Sequence, residues 1–184
     1  LKKEAFRGNV LYSDLQRTGY IHTNHEKINR LYENTVWGLK SNFLDMPTDC
    51  PQRNERLGWT GDAQVFSWTA AFNRETALFF TKWMRDISAA SSLERGVPHI
   101  VPDIQGTYSS AAWSDAAVII PWVVYQMYGD TRILEESWKC MHEWVDYIHN
   151  HVNENGLWMT NYQYGDWLAL DREMGDKSVG ATDV

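Results

Sequence analysis

The sequence predicts an all-α chain in which two layers of helices pack on one another, and two observations carry that reading. Apolar residues recur at steps of three and four through several segments, the spacing that lines one face of a helix. One further segment, residues 116–128, is apolar nearly all round, as a helix buried between neighbours must be. Amphipathic helices covering one that is apolar on every side suggest concentric layers, for which a helical toroid is the natural architecture. Only the first 22 residues depart from the pattern, and a short β segment is expected there.

Between Ala5 and His22, β-branched and aromatic residues in short runs, broken by Gly8, Ser13 and Gly19, predict one or two short strands. From Asn24 the period changes. Ile28, Leu31, Tyr32, Thr35, Val36 and Leu39 share one face of a helix that ends near Asn42, with Thr23 or Asn24 expected as its cap. A long polar loop follows over 45–61, with Pro47 and Pro51. Asp62 is placed to cap a helix whose Val65, Trp68, Thr69 and Phe72 share a face. The next helix, 74–91, is apolar through Ala77, Phe80, Met84 and Ile87, and an irregular stretch over 96–108 carries Pro98 and Pro102. The apolar helix 116–128 should kink at Pro121. Asp130 or Thr131 opens the last helix, on which Leu134, Trp138, Met141, Val145 and Ile148 keep the period to about His151.

Composition bounds the function. The 184 residues hold 17 Lys plus Arg against 24 Asp plus Glu, a net charge of −7, with 43% hydrophobic and 22% charged residues. Those values exclude wholesale disorder and fibrous repeats. An acidic chain with no dense basic cluster is a poor nucleic-acid or anionic-membrane surface. No apolar run approaches the roughly 18 residues of a spanning helix, and Leu-Lys-Lys-Glu-Ala at the start has no apolar core. Cys50 and Cys140 form neither a disulfide framework nor a zinc spacing, which leaves the redox compartment open. A closed barrel of helix pairs needs about twice this length at roughly 15 to 20 residues per helix. With no initial Met and a last stretch of Gly-Ala-Thr-Asp-Val, the chain is expected to be part of something longer. Ten Trp, nine Tyr and six Phe are unusual, and such a chain either buries much flat surface or displays some of it to a ligand with flat faces.

The chemistry concentrates in residues 43–64. Asp45, Asp49, Glu55 and Asp62 stand there with two arginines, two prolines, and Trp59 between Gly58 and Thr60-Gly61. A solvated charged loop is the plain alternative. A calcium loop lacks its Asp-x-Asp-x-Asp-Gly register, and a Cys50 nucleophile lacks a neighbouring His to activate it. Sugar recognition wants this set: carboxylates accept hydrogen bonds from vicinal hydroxyls, Arg donates from a fixed fork, and Trp covers the apolar C–H face of the ring. Glycosidic hydrolysis adds a carboxyl group that stays protonated near neutral pH. Glu55 lies between Arg53 and Arg56, which lower its pKa, so the acid role requires desolvation or a nearby carboxylate to win.

The run from Asp49 to Asp62, Asp-Cys-Pro-Gln-Arg-Asn-Glu-Arg-Leu-Gly-Trp-Thr-Gly-Asp, closely resembles the signature of bacterial α-L-rhamnosidases, glycoside hydrolase family 78. Ser13 to Gly19 and Leu31-Tyr32-Glu33-Asn34 are similar to that family's passage from a β-sandwich into its catalytic domain. Trp113 to Ala117, Tyr128-Gly129-Asp130 and Gly165 to Ala169 resemble later blocks. The resemblance implies an (α/α)6 barrel, of which this chain is about the first half. Residues 1–22 would be the end of a β-sandwich or linker, and 23–184 the N-terminal part of the catalytic domain. It implies that Glu55 is the general acid, that Asp49, Arg53 and Asp62 hold rhamnose hydroxyls, and that Trp59, Trp113 and Trp167 line the sugar site. Asp115 and Asp166 are weaker candidates, each equally compatible with helix capping. Asn54 stands where the family usually has Asp, which keeps hydrogen bonding but removes a charge beside the acid.

Family members invert configuration, which needs a second carboxylate as base roughly 6.5 to 9.5 Å from the first. The resemblance places that Glu beyond Val184. It implies rhamnose-containing glycosides or polysaccharides as substrates, the remaining β-sandwich and barrel segments as partners, and neither cofactor nor metal. A carbohydrate-binding or inert piece, or a helical-toroid glycosidase with another sugar specificity, are the competing readings. Trp68, Trp122, Trp138 and Trp144 lie on apolar helical faces and are expected in the core. His99, between Pro98 and Ile100, either lines a pocket or decorates a loop, with the loop expected, and His142, His149 and His151 give no metal spacing.

Overall fold

A computed structural model of the chain describes residues 2–106, 108–160, 163–165 and 167. Five helices dominate it: α1 (Glu26–Asn42), α2 (Thr60–Asn73), α3 (Ala77–Ala90), α4 (Ala116–Tyr128) and α5 (Arg132–His151). A two-residue hairpin, β1 (Phe43–Leu44) and β2 (Met46–Pro47), turns at Asp45, whose φ is 67°. Among the described residues no helix is long and apolar enough to cross a membrane.

The expected N-terminal strands are absent. Residues 3–5 form one 3-10 turn, and the extended chain after it finds a single isolated bridge, Arg17 to Arg74. A strand needs a ladder of backbone partners. Here the partner is the short corner between α2 and α3: Thr18 and Gly19 N–H both donate to Asn73 O, and Glu75 N–H donates to Gln16 O at 2.8 Å. Gly19 is required there, since a Cβ would lie 2.1 Å from Phe72 O. Arg17 secures the segment by stacking on Tyr20 and Tyr32 and pairing with Glu33 at 3.2 Å.

Helix α1 starts after His25 rather than at a Thr23 or Asn24 cap. Asn29 reaches back instead, accepting from Thr23 N–H at 2.8 Å and donating to its carbonyl at 2.8 Å. Tyr32, Val36 and Leu39 are buried as expected, whereas Ile28 and Leu31 face solvent. Asp62 likewise lies within the first turn of α2, which Trp59 precedes. The apolar face expected for α2 is the outer one, with Val65 76% exposed and Trp68 and Phe72 also uncovered. Its buried side is built of small residues, Gly61, Ala63, Ser67, Ala70 and Ala71, which let α4 approach closely.

Helix α4 has the expected bounds, keeps Pro121 inside it, and ends on Gly129 in the left-handed region at φ +67°. It is not covered on every side, since Trp122 is 51% exposed. On α5 the buried stripe is Ile133, Ser137, Cys140, Trp144 and Tyr147, one position before the expected one. Two sets with the same period differ by about 100° of rotation, so the expected core residues Trp138 and Val145 point outward, Trp138 at 63% exposure. Of the four tryptophans expected in the core, only Trp144 is there. Asp130, just before α5, is held by Arg132 at 2.7 and 2.8 Å, and this pairing draws its pKa down to about 2.

The helices alternate between two layers. Helix α2 packs on α4, α3 packs on α5, and α4 touches both α3 and α5. Gln64, near the start of α2, binds Ala112 just before α4, while Thr76 N–H, past the end of α2, donates to Tyr128 at the end of α4. The pair α2 and α4 therefore runs parallel, with both N-termini at one end. Phe43 stacks on Phe79 at 4.7 Å and Trp83 donates to Val101 O at 3.2 Å, tying β1 and the 97–101 stretch to α3. Replacing fully buried Trp83 by Ala is expected to cost about 3–5 kcal/mol, measured by denaturant unfolding of the protein that carries this domain; a loss below 1 kcal/mol contradicts that core.

Candidate functional site

The site forms where α2 and α4 begin. Residues 58–60 run beside 99–101: Val101 N–H donates to Gly58 O at 2.9 Å, Trp59 bridges Ile100, and Thr60 N–H donates to His99 O at 2.8 Å. The approach is so close that a Cβ on Gly58 would lie 2.1 Å from Val101 O. This pairing fixes where α2 starts and delivers Trp59 at its N-terminus.

The loop before it closes on itself. Asp49 Oδ1 accepts from Leu57 N–H at 3.0 Å while Asp49 N–H donates to Leu57 O at 3.0 Å. Arg53 spans two carboxylates, Nη2 to Asp49 Oδ2 at 3.2 Å and Nε to Glu55 Oε2 at 2.7 Å. The other oxygen of Glu55 accepts from Trp59 Nε1 at 2.8 Å. Both contacts favour the charged form, Arg53 foremost and Trp59 second, and hold the Glu55 carboxyl below its ordinary range. Asp62 is shifted the opposite way: desolvation foremost, then the charges of Asp49 and Glu55, push its carboxyl up although the residue is exposed.

Tryptophan supplies the walls. Trp113 lies so close to Gly61 that a Cβ there would meet its indole at 2.7 Å, and Trp167 sits edge-on to it at 6.3 Å. Ala112, at φ +66°, turns the chain so that Trp113 faces α2, and this turn is held by Ala112 N–H donating to Asp115 Oδ2 at 2.9 Å. Asp115 Oδ1 accepts from buried Trp144 Nε1 at 2.9 Å, so its carboxylate is committed to the loop and the core. A cavity of about 550 Å³ opens between α1 and α2, bordered by Asp49, Gly61, Asp62, Trp113 and Trp167. Arg53, Glu55 and Trp59 stand beside it, joined through Asp49. Asp166 lies outside the described residues.

Tyr164 escapes the sequence reading, and His99 is assigned there to the less consequential of its two alternatives. Tyr164 touches Trp59, Trp113 and Trp167 with its ring, and its hydroxyl lies 3.2 Å from His99 Nδ1. It directly precedes the Gly165-Asp166-Trp167 block, a position that could have flagged it. His99, expected on a loop surface, is buried at 4% exposure, because its backbone is part of the strand-like pairing that starts α2.

Asp49, Cys50 and Glu55 bring donor atoms within 4.8 Å of one another. The guanidinium of Arg53 already bridges the two carboxylates and supplies their positive charge. Burial pushes the Cys50 thiol up, which disfavours the thiolate needed both for metal ligation and for attack as a nucleophile.

Two layers of helices whose inner N-termini converge on a carboxylate-rich loop define a helical-hairpin domain. Residues 16–183 match the bacterial alpha-L-rhamnosidase 6 hairpin glycosidase domain, and the chain belongs to that family. It is 42% identical over 176 residues to an alpha-L-rhamnosidase of Formosa agariphila, covering 95% of this chain and 19% of that protein. Against one from Streptomyces avermitilis the identity is 39%, over 95% of this chain and 17% of the relative. The crystal structure of Streptomyces avermitilis alpha-L-rhamnosidase complexed with L-rhamnose superposes with a TM-score of 0.83 over 88% of this chain and 16% of that one, at 39% identity. The Dictyoglumus thermophilum alpha-L-rhamnosidase gives 0.82 over 87% and 18%, at 35% identity. The chain thus spans less than a fifth of these relatives. The family resemblance of the 49–62 run and the helical-toroid expectation are borne out.

The Asp62 shift has a direct consequence for stability. A carboxyl whose pKa is raised on folding favours the fold below the ordinary Asp value of about 3.9, and that contribution is lost as pH rises through the folded value. Asp62→Asn should therefore raise the thermal midpoint at pH 7 and match the wild type near pH 3. Equal midpoints at pH 7 contradict the crowding of Asp62 by its neighbours.

Proposed function

We propose that the protein to which this chain belongs is an inverting α-L-rhamnosidase that releases terminal rhamnose from rhamnose-containing glycosides or polysaccharides, with Glu55 as general acid. The observation that carries the reading is the Arg53–Glu55–Trp59 constellation beside a cavity walled by Trp113 and Trp167. The relative from Streptomyces avermitilis, crystallised with L-rhamnose, supports it.

Rhamnose is a 6-deoxy sugar, so its pocket must bind three ring hydroxyls and cover a methyl group. Asp49, Arg53 and Asp62 offer the polar partners. The indoles of Trp59, Trp113 and Trp167 offer apolar faces for the methyl and the C–H side of the ring. In the sugar-free arrangement Glu55 is a carboxylate paired with Arg53. Binding must turn it into an acid. When the Arg53 fork is drawn to sugar hydroxyls and the ring excludes water, Glu55 loses its strongest partner and is desolvated, and both changes raise its pKa. Glu55 then protonates the leaving oxygen, while a second carboxylate, taken from outside these 184 residues, activates water on the opposite face. Asn54 is exposed, accepts a 3.4 Å contact from Arg56, and as a neutral amide adds no charge beside the acid.

The ionised state of Glu55 also favours a second reading, in which this chain alone binds sugar without cleaving it. In the whole protein, Glu55→Gln should lower kcat on an aryl α-L-rhamnoside by about 10²- to 10⁴-fold, with the product appearing first as the β-anomer in the wild type by proton NMR. Turnover retained within threefold in Glu55→Gln, or α-rhamnose formed first, contradicts the proposed mechanism.

A further inference from the structure

We infer that Tyr164 is a further wall of the sugar-binding site and that buried His99 is the residue that positions it, so that one pair holds all three tryptophans in register with Glu55. The inference rests on the sugar reading of the site given above, and on a geometry that stands apart from it.

Tyr164 occupies the centre of the aromatic group. Its ring lies 4.4 Å from Trp113 in a tilted arrangement, 5.6 Å from Trp167 and 5.9 Å from Trp59 edge-on. Trp113 and Trp167 also meet each other at 6.3 Å. Aromatic pairs at such separations prefer edge-to-face and offset geometries, so the central ring restricts the orientation of each neighbour. Trp59 is the neighbour with chemical reach, because its indole N–H donates to Glu55 Oε1 at 2.8 Å.

What fixes the central ring is below it. The Tyr164 hydroxyl lies 3.2 Å from His99 Nδ1, and the two rings pack edge to face at 4.9 Å. Whichever atom donates, the hydroxyl is drawn inward toward a side chain only 4% exposed, while the half-buried phenol ring is left to the tryptophan cage. The backbone of His99 is itself fixed. Its carbonyl accepts from both the N–H and the hydroxyl of Thr60, at 2.8 and 3.0 Å, one residue after Trp59. A single buried residue thus sets the start of α2 through its carbonyl and the aromatic cage through its ring. Among the described residues His99 is not part of the cavity lining; it acts through Tyr164 and is a positioning residue.

The test uses the whole protein, with Tyr164→Phe, His99→Gln and the double variant assayed on an aryl α-L-rhamnoside. A coupled hydrogen bond of ordinary strength predicts about a fivefold fall in kcat/KM for each single variant, carried by KM with kcat within twofold, and no further loss in the double variant. Near-UV circular dichroism of the sugar-free proteins provides the arm that does not depend on activity. His99→Gln should change the aromatic spectrum when Tyr164 is present and leave it unchanged in the Tyr164→Phe background. Wild-type KM in Tyr164→Phe, losses that multiply to about 25-fold in the double variant, or a His99→Gln spectrum identical to wild type each overturn the pair's role. Should His99→Gln not fold, the Tyr164→Phe kinetics still decide. A wild-type protein inactive on rhamnosides defeats the proposed substrate, while the spectra continue to decide the coupling of His99 to Tyr164.

Discussion

The short pairing of residues 58–60 with 99–101 is the constraint on which the site depends. Backbone groups there exchange hydrogen bonds at 2.8 and 2.9 Å, and Gly58 leaves no room for a side chain between them. A helix must begin somewhere, and its first N–H groups need partners. At α2 the His99 carbonyl takes the Thr60 N–H. Trp59 is thereby held at the helix start, and Glu55, four residues earlier, is brought under its indole N–H. The second inner helix, α4, starts at the same end, so Trp113 arrives against Gly61 without any long connection.

The electrostatics of this arrangement are those of a resting state. Arg53 bridges Asp49 and Glu55 with a single positive charge, and the negative charge left over adds to desolvation in raising the Asp62 pKa. In the proposed mechanism the carboxyl that donates the proton is held at rest in an ion pair whose cation is also a sugar ligand. Substrate would then compete directly with Glu55 for Arg53. In that mechanism one side chain would link binding to activation of the acid.

Much of the fold was legible in the sequence, and the misses have physical reasons. The bounds of α4 follow from a run that is apolar except for Gln126 and stops at Gly129, whose left-handed backbone ends the helix. The register of α5 was not legible, since Ile133 to Tyr147 and Leu134 to Ile148 share one period and differ only in rotation. On α2 the large residues Val65, Trp68 and Phe72 misled, because the close approach of α4 selects small residues and leaves the large ones outside. The N-terminal strands failed for want of a partner ladder. In the site, the motif made Glu55, Arg53 and Trp59 legible, and geometry brings them together. His99 and Tyr164 are 65 residues apart; with no spacing pattern to join them, only the packed structure does.

In the proposed mechanism a rhamnose ring sits among Trp59, Trp113, Trp167 and the 49–62 loop with Glu55 at its anomeric side. A crystal structure of the whole protein soaked with L-rhamnose tests it most directly. Sugar oxygens are expected within hydrogen-bond distance of Asp62 and Arg53, with a tryptophan face against the ring and Glu55 released from Arg53. Rhamnose bound elsewhere, or bound there with the Arg53–Glu55 pair intact and Glu55 remote from the anomeric carbon, would contradict it.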